Sequence, residues 1–161
     1  MKTIKFICWQ CVLAAMCACG NTNPNSQNPT QAAESNVEVV KEQESLFYNI
    51  TLEKALEKAK TENKYVLVDF HTSTCAPCRK MEQEVFTAPE CKEFVNSHFV
   101  PIAIDGEDDG TGTELAKKYQ VFIFPTYLIL SPDAFKEGEI LGAEYDVTKF
   151  IDMLKSIIHV E

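Results

Sequence analysis

The chain has 161 residues, 45% of them hydrophobic and 10% aromatic, which is enough to fill the core of one domain of ordinary size. Its formal charge of −9 argues against a nucleic-acid partner, since a phosphate backbone repels so acidic a surface.

Met1 to Gly20, "MKTIKFICWQCVLAAMCACG", places Lys2 and Lys5 ahead of an apolar stretch and then small residues, the pattern of a secretory signal. The apolar part is about 13 residues, short of the roughly 20 that a permanent span needs. Asn21 to Ser45 is rich in Asn, Gln, Ser and Pro and cannot bury enough surface to offset its ordering entropy. The expected organisation is therefore a signal peptide over 1–19, a flexible linker over 20–45 and one domain over 46–161. No internal repeat is visible.

Within the domain, Thr51 is a plausible N-cap for a helix with Leu52, Ala55, Leu56 and Ala59 on one face. Tyr65 to Phe70 reads as a buried strand, and a helix follows the cysteine pair to about Phe86. Thr87-Ala-Pro-Glu90 resembles a capping box that opens a short helix to Ser97. Phe99 to Ile104 is the next strand, Asp105 to Thr113 a loop with three glycines and four acids, and Glu114 to Tyr119 a short helix. Val121 to Leu130 reads as a strand with Pro125 inside it, Glu139 to Ala143 as an edge strand, and Asp146 caps a last amphipathic helix. Strands alternating with helices, then a hairpin and a closing helix, define the α/β class.

The chemistry centres on Cys75-Ala76-Pro77-Cys78, where a buried strand gives way to a helix. Thiolate is the nucleophile of disulfide exchange, and free backbone N–H groups at a helix start favour it at Cys75. Cys78, one turn on, can reach the same sulfur and is expected to be less exposed. Pro77 fixes the start of the helix. The competing reading is half of a zinc site, for which only His71 and Cys91 are candidate further ligands; Cys91 shares a helix face with Phe94 and Val95 and reads as a structural thiol. No metal and no cofactor are expected. Pro125 would interrupt a strand ladder, a conflict that a cis Phe124–Pro125 bond resolves; the alternative is a trans proline on an edge strand. Asp69 is the one acid in the apolar strand: either the strand ends early, or the carboxyl is buried with a raised pKa.

Taken together, "VDFHTSTCAPCRKMEQEVF", "VFIFPTYLIL" and the C-terminal helix resemble the thioredoxin superfamily. More narrowly, they are similar to exported thioredoxin-like domains related to the C-terminal domain of bacterial thiol:disulfide interchange proteins. The resemblance covers about Leu46 to Ile158. It implies a thioredoxin-like fold with a central mixed sheet flanked by helices, Cys75 as nucleophile and Cys78 as resolving thiol. It also implies Pro125 as a cis-proline beside them, Phe124 and the Ala76-Pro77 turn as substrate-contacting positions, and Asp69 as a buried proton acceptor beneath Cys78. Departures are His71 and Thr74 where the usual signature has tryptophans, and Ala76 in place of Gly; they leave the direction of electron flow open. Arg79 either favours thiolate or is simply solvated. Ala18-Cys19 resembles a bacterial lipoprotein cleavage site, which implies lipidation of Cys19.

The function these readings favour is an exported thiol:disulfide oxidoreductase in the periplasm or cell envelope, anchored to a membrane through its lipid. Disulfide-containing proteins would be its substrates and a membrane protein its electron donor; a monomer working in the reducing direction is expected. A protein disulfide oxidase or isomerase, a non-catalytic binding module of the same fold, and metal carriage by Cys75, Cys78 and His71 are the alternatives.

Overall fold

The computed structural model describes residues 45–108 and 110–160. The signal peptide, Cys19 and all of the linker but Ser45 lie outside the described residues. Nine elements follow in order: α1 (Leu52–Glu62), β1 (Tyr65–His71), α2 (Ala76–Glu84), α3 (Pro89–His98), β2 (Phe99–Asp105), α4 (Thr111–Tyr119), β3 (Thr126–Leu130), β4 (Lys136–Leu141) and α5 (Val147–Ile158).

The strands form a mixed sheet in the order β2-β1-β3-β4. β1 runs parallel to β2 and antiparallel to β3, so it is hydrogen-bonded on both sides, and the β3–β4 hairpin closes one edge. Alternate side chains then fall on opposite faces. Leu67, Tyr127 and Ile129 pack with Met81, Val85 and Phe86 after the cysteine pair, Cys91 and Val95 of α3, and Phe150, Leu154 and Ile158 of α5. Val66, Val68, Phe70, Leu128 and Leu130 pack on the other face with Leu52, Ala55 and Ala59 of α1 and Ala116 of α4. A strand buried on both faces has no polar side to offer, which is why β1 reads as a continuous apolar run.

The expected α/β class, the mixed sheet and the flanking helices are all present. Several boundaries differ from the sequence reading, each for a local reason. Thr87 does not cap α3: Ala88 takes that place without a side-chain bond, and the Thr87 hydroxyl donates to the Gln83 carbonyl. α4 begins at Thr111 rather than Glu114, because Asp108 Oδ1 accepts the Gly110 and Thr113 N–H groups and organises the loop into a helix start. β3 starts only after Pro125, and β4 starts at Lys136 rather than Glu139, since Ser131 and Ala134, the latter at φ 67°, make a tight hairpin.

Candidate active site

Strand β1 ends beside the start of α2, and this junction sets the cysteines. Cys75 is the N-cap of α2, with extended φ and ψ of −71° and 101°, and its Sγ accepts the Cys78 N–H at 3.1 Å. The Cys75 N–H in turn donates to the Thr72 carbonyl at 3.2 Å, which ties the loop to the helix start. Pro77 lies in the first helical turn, where a missing donor costs nothing. Cys75 and Cys78 form a disulfide, with their Cα atoms 5.3 Å apart. The two residues are alike in exposure, 9% and 8%, so the expected difference in accessibility is not seen in the disulfide form. What separates them is position: Cys75 sits at the helix tip, and Cys78 borders a partly open cavity.

That cavity, about 110 Å³, is bordered by Asp69 and His71 of β1, by Thr72, and by Cys78, Arg79 and Glu82 of α2. It has room for a few waters, each of which takes about 30 Å³ of liquid volume. Asp69 is buried in the middle of β1, opposite Ala103 on one side and Tyr127 on the other. Its Oδ1 has no hydrogen-bond partner among the described residues. Burial pushes the carboxyl up to about 7, and the charge of Glu82 adds to the effect. The strand does not end early, and the acid is inside it. The Tyr127 hydroxyl is likewise buried without a partner among the described residues, and burial, followed by the neighbouring Asp69 charge, raises its pKa above the ordinary phenol value.

Phe124–Pro125 is a cis peptide bond, as the conflict between proline and strand implied. Pro125 is buried, its carbonyl accepts the Gly142 N–H at 2.9 Å, and the Thr126 hydroxyl donates to the Ile123 carbonyl at 2.8 Å. The Phe124 ring lies so close to Gly106 that an added Cβ would stand 2.5 Å from its Cε1, so any side chain there would have to push the ring aside. Phe122 and Ile123, just before it, are 80% and 53% exposed.

The structure thus brings Asp69 and Cys78 to one cavity, while Cys75, Ala76 and Pro77 stand at the start of α2 outside its lining. Arg79 donates from Nη1 to the Ser73 carbonyl at 3.0 Å instead of standing free. Cys91 is buried in the core with its thiol pushed up to about 12 by desolvation, the condition of an inert structural cysteine. Among the described residues no three His, Cys, Asp or Glu side chains gather as a metal site would require. A wider hollow of about 380 Å³ between Thr51, Lys54, Asp105 and Leu115 contains no thiol and takes no part in this geometry. Sequence reasoning missed Glu82, Tyr127 and Phe47. Glu82 carried a usable signal, since it follows Cys78 by four residues and so shares its helix face.

The fold and the cysteine pair define a thioredoxin-fold protein with a Cys-x-x-Cys at a helix start. The chain belongs to the thioredoxin-like domain family, whose model matches residues 52–158. It is 32% identical over 96 residues to Thioredoxin-2 of Pyricularia oryzae, covering 60% of this chain and 52% of that one. It is 29% identical over 104 residues to the thiol:disulfide interchange protein DsbD of Pseudomonas fluorescens, covering 62% of this chain and 17% of that protein. The chain therefore spans about half of one curated relative and about a sixth of the other. A solved structure described provisionally as a disulphide-isomerase, from Bacteroides thetaiotaomicron, superposes with a TM-score of 0.63 at 32% identity, covering 71% of this chain and 93% of that one. No helix among the described residues is long and apolar enough to cross a membrane.

Proposed function

We propose that this chain is an exported thiol:disulfide oxidoreductase that reduces protein disulfides, held at a membrane by a lipid on Cys19. The observation that carries the reading is the Cys75–Cys78 disulfide at the start of α2, with the buried Asp69 carboxyl, one oxygen of which has no hydrogen-bond partner among the described residues, on the cavity that Cys78 borders. Family membership and the thiol:disulfide interchange relatives support it. Export and the lipid rest on the leader pattern alone.

In the proposed reaction the Cys75 thiolate attacks one sulfur of a substrate disulfide, forming a mixed disulfide and releasing the first substrate thiolate. Cys78 then gives its proton to the Asp69 carboxylate and attacks Cys75 Sγ. The enzyme disulfide forms, the mixed disulfide breaks, and the second substrate thiolate leaves. Two electrons pass from the dithiol to the substrate, and a membrane dithiol donor restores the enzyme. A carboxyl near 7 suits the task, because a base works best when its pKa lies near the working pH. Phe124, cis-Pro125, Ala76 and Pro77 would contact the substrate chain.

The charges around the pair support the reducing direction. Asp69 and Glu82 are two acids on the cavity against one cation, Arg79, whose guanidinium is engaged by the Ser73 carbonyl. Acids near the thiols disfavour thiolate, withhold stabilisation from the reduced form and make the pair a better electron donor. Insulin reduction tests the function: the wild type should precipitate the freed chains and Cys75→Ser should not. Equal rates for the two would leave only a non-catalytic binding module. Equilibration with glutathione reads the direction: a potential near thioredoxin's, about −270 mV, supports a reductant, whereas one near −120 mV would mark an oxidase.

A further inference from the structure

The short segment ahead of α1 bears directly on the redox site. Leu46 is buried in the core cluster that contains Phe86 and Tyr127. The Phe47 ring meets Phe86 edge to face at 4.9 Å, and the Tyr48 N–H donates to the Pro101 carbonyl of β2 at 2.9 Å. Tyr48 thereby forms an isolated parallel bridge with Ile102 at the outer edge of the sheet. Three successive residues are thus fastened by a core contact, a ring contact and a backbone hydrogen bond. In the same segment, Ser45 and Phe47 face the cavity that Asp69 and Cys78 also line.

We infer that Ser45 to Tyr48 is a strap that closes the outer side of the cavity between Asp69 and Cys78, with Phe47 as a positioning residue that limits how much water reaches the carboxyl. The other walls include the half-buried His71 and the buried Thr72 at the end of β1. The sheet side ends in the small side chain of Ala103, and the α2 side is made by Cys78, Arg79 and Glu82, of which the latter two are exposed. Removing the Phe47 ring opens a path for water to the Asp69 oxygen that has no partner among the described residues. Hydration favours the charged carboxylate. The charged and titratable groups facing Asp69 are His71 from its own strand, Cys78, Arg79 and Glu82 from α2, and Tyr127 from β3; β2 contributes Ala103 and the strap itself contributes no charge. Phe47 therefore acts through desolvation alone, and its replacement leaves every facing charge in place. The catalytic consequence rests on the function proposed above: a more acidic Asp69 is a weaker base for Cys78, so resolution slows while the first attack by Cys75 does not.

The test titrates the Asp69 side-chain carboxyl by carbon-13 NMR in the oxidised full chain, for wild type, Phe47→Ala and Phe47→Leu. Leu154→Ala, on α5 and absent from the cavity lining, controls for destabilisation as such. The expected result is a titration midpoint lowered by about one pH unit or more in Phe47→Ala, by less in Phe47→Leu, and unchanged in Leu154→Ala. An unchanged midpoint in folded Phe47→Ala overturns the inference. If that variant fails to fold, Phe47→Leu and Phe47→Val decide it: the midpoint must fall in the order of side chain lost, and equality with wild type in both overturns the inference. Titration requires no turnover, so an inactive wild type would remove the oxidoreductase reading without touching the strap. Normal insulin reduction with an unmoved midpoint removes the strap alone.

Discussion

Asp69 stands between Ala103 and Tyr127 in the sheet with an oxygen that no described group satisfies, and this costs the fold stability as soon as the carboxyl ionises. Its ordinary value of 3.8 is raised to about 7, so from about pH 4 to 7 the folded state keeps a proton that the unfolded chain has released. The stabilisation is complete below pH 4 and is lost as pH rises through 7. Asp69→Asn removes the titration. Urea unfolding of the oxidised protein should show a wild-type midpoint that declines from pH 4 to 7 and a variant midpoint that is flatter there. The difference at pH 8 should be at most on the order of 4 kcal/mol, since each tenfold change in the proton-binding constant is worth about 1.4 kcal/mol. Parallel profiles for the two proteins would mean that Asp69 titrates normally. The same substitution should slow resolution by Cys78 more than attack by Cys75. Asp69 is legible in the sequence because an acid in an unbroken apolar strand has few reasons to be there. Its neighbours Tyr127 and Phe47 are not, because their approach depends on the β1–β3 register and on a strap whose contacts are made far along the chain.

At the scale of elements, helix caps separate what local sequence encodes from what packing decides. Asp146 reads as the cap of the last helix, and its Oδ1 accepts the Lys149 N–H at 3.1 Å at the start of α5. Thr87 fits a capping pattern equally well, yet α3 starts one residue later. The Val85 and Phe86 N–H groups both donate to the Met81 carbonyl, tightening the end of α2, and the Thr87 hydroxyl turns back to Gln83. Phe86 is drawn into an aromatic cluster with Tyr127 and Phe150, centroids 5.6 Å from each, and that tertiary demand outweighs a cap worth about 1 kcal/mol. Asp146→Ala should therefore destabilise the protein by about 1 kcal/mol, and Thr87→Ala by less than about 0.5 kcal/mol, in equilibrium unfolding. A loss at Thr87 equal to that at Asp146 would restore the capping box. Helix and strand identities are legible throughout, because period and apolar spacing are local. The beginnings of α3, α4 and β4 are not, because Ala88, the Asp108 carboxylate and the Ser131–Ala134 turn each act through bonds that no periodicity announces.

For the molecule as a whole, redox state and stability are two readings of one cycle. Forming the Cys75–Cys78 disulfide in the folded chain and in the unfolded chain differ in free energy by the same amount as unfolding the oxidised and reduced forms. A pair that donates electrons readily when folded must therefore have an oxidised form more stable than its reduced form. A strong oxidant shows the opposite order, because its folded thiolate is the favoured species. The site contains both tendencies. The start of α2 directs the Cys78 N–H at Cys75 Sγ and favours thiolate, while Asp69 and Glu82 on the cavity oppose it. Asp69, Cys75 and Cys78 are buried to the same degree, at 8%, 9% and 8% exposure, so neither influence is the better screened. The reducing direction proposed above requires that the acids prevail. Urea unfolding at pH 7 should find the oxidised protein more stable than the reduced one; a folded potential about 60 mV below that of the unfolded pair corresponds to roughly 2.8 kcal/mol. Asp69→Asn should narrow the gap by stabilising the reduced form. A reduced protein more stable than the oxidised one would reverse the direction of electron flow and make the chain an oxidant of thiols.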